Sequence, residues 1–205
     1  METLVHLIRH GEPAGGDKLR GSTDDPLTGK GWQKMIKAVD GLEYQRIVCS
    51  PLLRCQVFAR SMAEDKGFPL MVNAAFKERD FGLWDGENYS QLWQKHQKEL
   101  SDFWSEPWKY QPPEGEGFYD FHQRIEQGWQ QLIDRFQGET ILLVCHSGVM
   151  RALFSQLLNI PLETDAANSR LKLEHGARIS WRIWRETDNS GNHQDWPQLD
   201  FLGTS

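Results

Sequence analysis

Short apolar runs alternate with helical stretches along most of this chain, and that alternation limits the possible folds more than any other feature. Residues 3–8, 46–49, 70–72 and 140–145 are predicted to be short strands. Strands that alternate with helices indicate a mostly parallel sheet with helices on both faces. We therefore expect an α/β fold, built as a three-layer α/β/α sandwich.

Capping residues and periodicity predict where the helices lie. Thr28 is a suitable N-cap for a helix to about Gly41, and Ser50 before Pro51 predicts a second helix that stops at Gly67. Apolar residues recur at helical spacing over 118–136, which predicts a long amphipathic helix. Residues 149–158 continue as a helix after the strand 140–145, and alternation over 178–184 predicts antiparallel strands near the end.

Residues 88–117 differ from the rest, because they combine aromatic and polar residues and end in a Pro- and Gly-rich stretch. We interpret them as a small, mostly helical cap inserted over one end of the sheet, within a single domain of residues 1–205. Trp93, Trp104 and Trp108 lie in this insertion. Each is expected to pack the cap, although aromatic faces would also suit a flat ligand such as a benzimidazole. Trp84 is expected to be structural.

Charge and composition exclude several classes of function. The net charge is −6, which argues against a nucleic-acid-binding surface, since such surfaces need clustered positive charge. No stretch approaches the ~20 apolar residues of a membrane span, and the apolar run before Arg9 is too short for a signal peptide. Cys49, Cys55 and Cys145 have no metal-site spacing. They are expected to be free, mostly buried thiols in the reducing cytoplasm.

Charged and imidazole side chains are concentrated where predicted strands end or helices begin. His10 and His146 lie just past the ends of the predicted strands 3–8 and 140–145. Ligands of open α/β sheets bind at the carboxyl ends of the strands, so these two histidines are expected to share one site. Arg9, Arg54 and Glu78 lie in similar positions.

This set of side chains suits a phosphoryl group. Arginine binds phosphate oxygens through two parallel hydrogen bonds, and a neutral imidazole can attack phosphorus to form a covalent intermediate. A carboxyl group can protonate the leaving oxygen and later activate water. Gly11 is expected to allow close approach of backbone and ligand, and a helix that begins after His146 would supply free N–H groups.

The sequence resembles the histidine phosphatase superfamily, also called the phosphoglycerate mutase-like family. The resemblance rests on five motifs in the family's order within residues 4–158: Leu7-Ile8-Arg9-His10-Gly11-Glu12, Asp24 to Gly31, Ser50 to Ala59, Glu78 to Gly86, and His146 to Arg151. It implies that His10 is the nucleophile and that Arg9, Arg54 and His146 hold the transferring phosphoryl group. It also implies that Glu78 is the general acid and then the base, without a metal or organic cofactor.

A subgroup is also indicated. Residues 113–124 and the Phe81-Gly82-Leu83-Trp84 turn are similar to those of the α-ribazole-5′-phosphate phosphatases of cobalamin synthesis. The expected ligand is thus a small phosphorylated metabolite. Other members of the family remain alternatives, namely a phosphoglycerate mutase or a sugar phosphatase. A non-catalytic module that binds a phosphorylated ligand is an alternative of another class. The oligomeric state stays open, with a homodimer as one alternative.

The chain departs from the family pattern after Glu12. The usual Thr is Pro13, the nearby Asn that helps bind phosphate is missing, and the loop over residues 13–20 is about two residues short. Arg20 or Ser22 is a candidate substitute for that Asn. Ser147 replaces a common Gly in the late motif.

The identity of the acidic residue stays open. Glu87, Asp80 and Asp85 lie near Glu78 and are alternative carboxylates for its role. The histidines outside the motifs are expected to be surface or packing residues: His6, His96, His122, His175 and His193.

Overall fold

The computed structural model describes residues 1–164, 170–188 and 190–203. Within them, the elements follow this order: β1 (Glu2–Arg9), α1 (Gly29–Val39), β2 (Arg46–Cys49), α2 (Leu53–Lys66), β3 (Leu70–Val72), α3 (Tyr89–Lys95), α4 (Gln97–Ser105), α5 (Phe118–Arg135), β4 (Thr140–Cys145), α6 (Ser147–Leu157), β5 (Arg178–Thr187) and β6 (His193–Gly203). Two short 3₁₀ turns, Ala74–Phe76 and Gly82–Trp84, lie between β3 and α3.

The described strands form one sheet in the order β3-β2-β4-β1-β5-β6. The pairings of β1 with β4, β2 with β4 and β2 with β3 are parallel, whereas β5 pairs antiparallel with both β1 and β6. Arg9 pairs with Cys145, so β1 and β4 end side by side. The predicted α/β fold with a mostly parallel sheet is confirmed, and so are the antiparallel strands near the end.

Helices cover both faces of the sheet, and the inner strand β4 is therefore buried on both sides. Ile141 and Leu143 belong to a core cluster with residues of α5 and α6. Leu142 and Val144 belong to a second cluster with residues of α1 and α2. Burial of alternate side chains in opposite clusters is the period-2 pattern of a strand between two helical layers. The predicted three-layer sandwich is therefore confirmed.

Local signals placed most helix ends correctly. The hydroxyl of Thr28 accepts from the backbone N–H of Gly31 at the start of α1, as predicted. α2 ends at Gly67, whose φ of 67° is left-handed and suits glycine.

The predicted start of α2 at Ser50 was wrong. This helix begins at Leu53, and the N-cap residue before it, Leu52, offers no capping side chain. Instead, Asp24 from a distant loop accepts from the backbone N–H of Leu53 at 2.6 Å. The hydroxyl of Ser50 accepts from the backbone N–H of Leu52 at 3.3 Å, before the helix, and also contacts a second partner described below.

The predicted insertion over residues 88–117 contains α3 and α4. Leu92, Leu100 and Phe103 from these helices are buried in a third apolar cluster, which also contains Phe81 and Trp84. The structural role predicted for Trp84 agrees with its 4% exposure. The insertion thus packs on the 3₁₀ turn that follows Glu78.

In the described part of the chain, no helix has the length and apolar character needed to cross a bilayer. The three cysteines are free and buried, as predicted.

Candidate active site

The two predicted histidines meet at the carboxyl end of the sheet. His10 follows β1 and His146 follows β4, and the parallel pairing of these strands brings their ring centroids within 5.1 Å. Arg9 is the last residue of β1, and Arg54 lies in the first turn of α2. The structure therefore brings the predicted residues of the first, third and last motifs to one place.

His10 is held in one tautomer. Its Nδ1–H donates to the carbonyl oxygen of Gly11 at 2.7 Å, which leaves the lone pair on Nε2. Burial, and then the charges of Arg54 and Arg9, hold the pKa of His10 well below its usual value. A neutral imidazole with a free Nε2 is the form that can attack phosphorus.

His146 is fully buried beside it. Its Nε2 lies 2.8 Å from the hydroxyl of Ser50, the residue expected to cap α2. Burial and the charge of Arg54 hold the pKa of His146 well below its usual value. Ser50 thus orients a histidine of the site instead of capping a helix.

Two arginines supply fixed positive charge at His10. Arg54 is fully buried and donates from its two Nη atoms to the carbonyl oxygens of Thr23 and Gly21, both at 2.7 Å. Burial lowers the pKa of Arg9 to about 10, so Arg9 remains charged at neutral pH. The Nε of each finds no partner among the described residues.

Glu78 is buried and held by two backbone amides. Its Oε1 accepts from the N–H of Arg79 and its Oε2 from the N–H of Gly148 in the first turn of α6, both at 3.0 Å. A β-carbon at residue 148 would overlap Oε1 of Glu78. Glycine at 148 is therefore needed for this carboxylate to approach the helix.

Two of the alternative carboxylates have structural partners. Asp85 accepts from the backbone N–H groups of Gly21, Ser22 and Thr23. Asp80 accepts from the N–H of Gly82 at 2.8 Å. Of the four candidates for the acidic residue, all within the described chain, Glu78 is the one that lines the two cavities described next.

Two adjoining cavities open at this end of the sheet, and they share Arg9, Glu78, Phe81, Trp104 and Ser147. The first, of about 730 Å³, is named the polar cavity; its other lining residues are His10, Glu12, Pro13, Ala14, Gly15, Gly16, Asp17, Lys18, Leu19, Arg20, Thr28 and His175. The second, of about 520 Å³, is named the aromatic cavity; its other lining residues are Arg79, Phe103, Pro107, Phe118, Phe121, His122, Gly148 and Arg151.

Two histidines outside the predicted site line these cavities. His122 is buried and packed, as expected, but its place in a cavity was not predicted. His175, expected at the surface or in packing, lines the polar cavity with its ring centroid 5.6 Å from that of His10. His122 lines the aromatic cavity and packs on Phe118. Burial is the main reason that the pKa of each falls to about 4. His175 lies outside the motifs, so the sequence carried no direct signal for it. His122 lies in the segment 113–124 that indicated the subgroup, but that resemblance assigned no role to this side chain.

Arg20 and Ser22, the two candidate substitutes for the missing Asn, have different surroundings. Arg20 lines the polar cavity, where it donates to Asp25 at 2.9 Å and to the carbonyl oxygen of Ala14 at 2.6 Å. Ser22 instead donates to Asp85. Of the two candidate substitutes, Arg20 is the one in the cavity.

Gly11 also makes a close approach within the protein. A β-carbon there would overlap the carbonyl oxygen of Gly31 in α1. The glycine therefore allows the end of β1 to approach a helix, and the approach to a ligand expected from the sequence stays a prediction.

The tryptophans of the insertion differ from one another in position. Trp104 is 43% exposed and lines both cavities. Trp93 stacks on Tyr89, and Trp108 packs against Phe118. Packing, the expected role for each, is confirmed for all three, since the ring of Trp104 lies 4.8 Å from that of Phe103. Trp104 differs from the other two because it also lines both cavities.

Comparison with known proteins agrees with this geometry. Residues 5–187 match the model of the histidine phosphatase superfamily (branch 1). The chain is 33% identical over 163 residues to the adenosylcobalamin/alpha-ribazole phosphatase of Escherichia coli (strain K12), covering 77% of this chain and 80% of that protein. It is 26% identical over 213 residues to a probable phosphoglycerate mutase of Escherichia coli O1:K1 / APEC, covering 97% and 98%.

Among solved structures, a putative alpha-ribazole-5′-P phosphatase from Escherichia coli K-12 is similar with a TM-score of 0.79 and 26% identity. The similarity covers 98% of this chain and 96% of that one. Fold and sequence thus lead to the same group of proteins.

Proposed function

Because this chain belongs to the histidine phosphatase superfamily (branch 1), we propose that it hydrolyses α-ribazole 5′-phosphate through a phosphohistidine on His10. At the level of reaction class, the chain is a phosphoric monoester hydrolase that acts on small phosphorylated molecules. We propose the residues that perform the reaction and the identity of the leaving alcohol.

In the first step, Nε2 of His10 attacks phosphorus and the bond from phosphorus to the leaving oxygen breaks. The carboxyl group of Glu78 gives its proton to that oxygen, so the product leaves as an alcohol. The neutral state of His10 and its Nδ1–H donation to Gly11 support this role, since both keep a lone pair on Nε2.

In the second step, the carboxylate of Glu78 takes a proton from water. The water oxygen forms a bond to phosphorus, the P–N bond to His10 breaks, and inorganic phosphate leaves. Arg9, Arg54 and His146 hold the phosphoryl oxygens throughout, and their fixed donors stabilise the charge that develops on these oxygens.

The aromatic cavity is the observation that carries the substrate assignment. It meets the polar cavity at Glu78, where the leaving oxygen has to be, and it is walled by Phe81, Phe103, Phe118 and Trp104. A leaving group with a flat apolar ring suits such walls. The name of the similar protein from Escherichia coli supports the same substrate class.

A second candidate rests on the charges in the same cavity. Arg79 and Arg151 also line it, and two arginines would suit a leaving group that carries a carboxylate. This favours phosphoglycerate as the alternative substrate, in agreement with the similar probable mutase.

A panel of phosphomonoesters tests the proposal. It contains α-ribazole 5′-phosphate, a sugar phosphate, 3-phosphoglycerate and p-nitrophenyl phosphate, ranked by kcat/KM. We expect α-ribazole 5′-phosphate to exceed the sugar phosphate and 3-phosphoglycerate by at least about 100-fold. Equal values for these three would contradict the substrate assignment. Conversion of 3-phosphoglycerate to its isomer without phosphate release would indicate the mutase, and no turnover of any compound would indicate a binding module.

A further inference from the structure

The guanidinium of Arg9 is held by the segment that leads into β5. Its Nη1 donates to the carbonyl oxygen of Leu173, and its Nη2 lies 3.2 Å from Nε2 of His175. The backbones are joined as well, since the N–H of Arg9 donates to Ala177 at 2.9 Å and that of Gly176 donates to Arg9 at 3.2 Å. Both the backbone and the side chain of Arg9 are therefore fixed from one direction.

In the contact between Arg9 and His175, Arg9 must be the donor and His175 the acceptor. Arginine donates and cannot accept, so Nε2 of His175 must carry a lone pair. The pKa of His175, lowered to about 4 by burial and then by the charges of Arg9 and Lys34, agrees with a neutral ring. Glu12 acts in the opposite direction and Arg20 in the same direction as Arg9. A protonated His175 would place a second cation 3.2 Å from Arg9.

His175 is also close to the nucleophile. Its ring centroid lies 5.6 Å from that of His10, and both rings line the polar cavity. The loop after Glu12 lacks the Asn that often binds phosphate in the family. Arg20, the candidate substitute that lines the same cavity, donates a hydrogen bond to Asp25.

We propose that His175 is a positioning residue of the phosphoryl site, one that orients Arg9 as a hydrogen-bond acceptor and holds its guanidinium beside His10. The proposal rests on the proposed hydrolysis at His10. Arginine recognises a phosphoryl group by its planar fork, and a guanidinium free to rotate loses that geometry.

Two matched variants test the role of His175. In His175→Gln, the amide oxygen can still accept from Arg9, whereas His175→Phe keeps a ring of similar shape without an acceptor. Calorimetry with inorganic phosphate and with orthovanadate measures binding without turnover, and steady-state kinetics with p-nitrophenyl phosphate give kcat and KM separately.

We expect the Phe variant to bind both anions about tenfold more weakly and to lose at least as much in kcat/KM, since a hydrogen bond to a charged group is removed. The Gln variant should remain within about threefold of the wild type. Equal affinities in the Phe variant and the wild type would overturn the proposal. Equal losses in both variants would also overturn it, because they would show that packing alone matters. A wild-type protein that binds both anions but hydrolyses no ester would count against the proposed function and not against this role of His175.

Discussion

The polar and aromatic cavities lie side by side but are built in different ways. The polar cavity takes Arg9 and His10 from the carboxyl end of β1 and His175 from the loop before β5. Backbone pairing and hydrogen bonds fix these groups. The aromatic cavity takes its walls from the insertion and from α5, which contribute Phe103, Trp104 and Phe118. One cavity is organised by directional contacts and the other by apolar packing.

Under the proposed mechanism, the two cavities have separate tasks. Transfer of a phosphoryl group requires charges and lone pairs at fixed positions, and the sheet provides these. Selection among leaving groups requires a surface of a given shape, and apolar walls provide it without fixed hydrogen bonds. Glu78 lies where the two cavities meet, which suits a group that acts on the oxygen between phosphate and leaving group.

Of the residues where the two cavities meet, Glu78 is expected to have the greater effect when it is changed. In Glu78→Gln no proton reaches the leaving oxygen, so formation of the phosphoenzyme from α-ribazole 5′-phosphate should slow by about 100-fold or more. p-Nitrophenyl phosphate should be affected far less, because its leaving group departs without a proton. Single-turnover kinetics with each ester measure this step.

Glu87→Gln is the matched control, since it removes the charge of a nearby carboxylate that lines neither cavity. It should leave both rates within about twofold of the wild type. Equal slowing of both esters in Glu78→Gln would show that Glu78 acts by charge or packing and not as an acid.

A smaller effect is expected from the aromatic wall. Trp104→Ala removes a ring that is 43% exposed and lines both cavities. The preference for α-ribazole 5′-phosphate over a sugar phosphate should fall by about fivefold to tenfold, since one aromatic contact is lost. The ratio of the two kcat/KM values measures this preference.

Trp93→Ala serves as the control, because Trp93 has a comparable exposure of 36% and stacks on Tyr89 outside the cavities. It should not change the ratio. An unchanged ratio in Trp104→Ala as well would show that this side chain does not contribute to selection of the leaving group.

The sequence predicted those parts of the fold and site that depend on local patterns. The cap at Thr28 and the stop at Gly67 are set by residues at the helix ends themselves. The meeting of His10 and His146 followed from two apolar strands with a histidine directly after each. Such features need no knowledge of distant contacts.

The parts that were missed depend on contacts between distant segments. The start of α2 is set by Asp24, which lies 29 residues before Leu53. His175 reaches Arg9 across 166 positions, because β5 pairs antiparallel with β1. No pattern near His175 indicates this pairing partner. Only a correct prediction that β5 pairs with β1 would have placed His175 near Arg9.

In the proposed mechanism the phosphoryl group passes through His10, and trapping of that intermediate is the decisive measurement. The protein is mixed with labelled phosphomonoester, the reaction is stopped in alkali to preserve phosphohistidine, and the protein is digested for mass spectrometry. We expect one phosphoryl group on His10 in the wild type and none in His10→Ala, which should be folded but inactive. Phosphate release by His10→Ala at a near-normal rate, or a label on another residue, would contradict it.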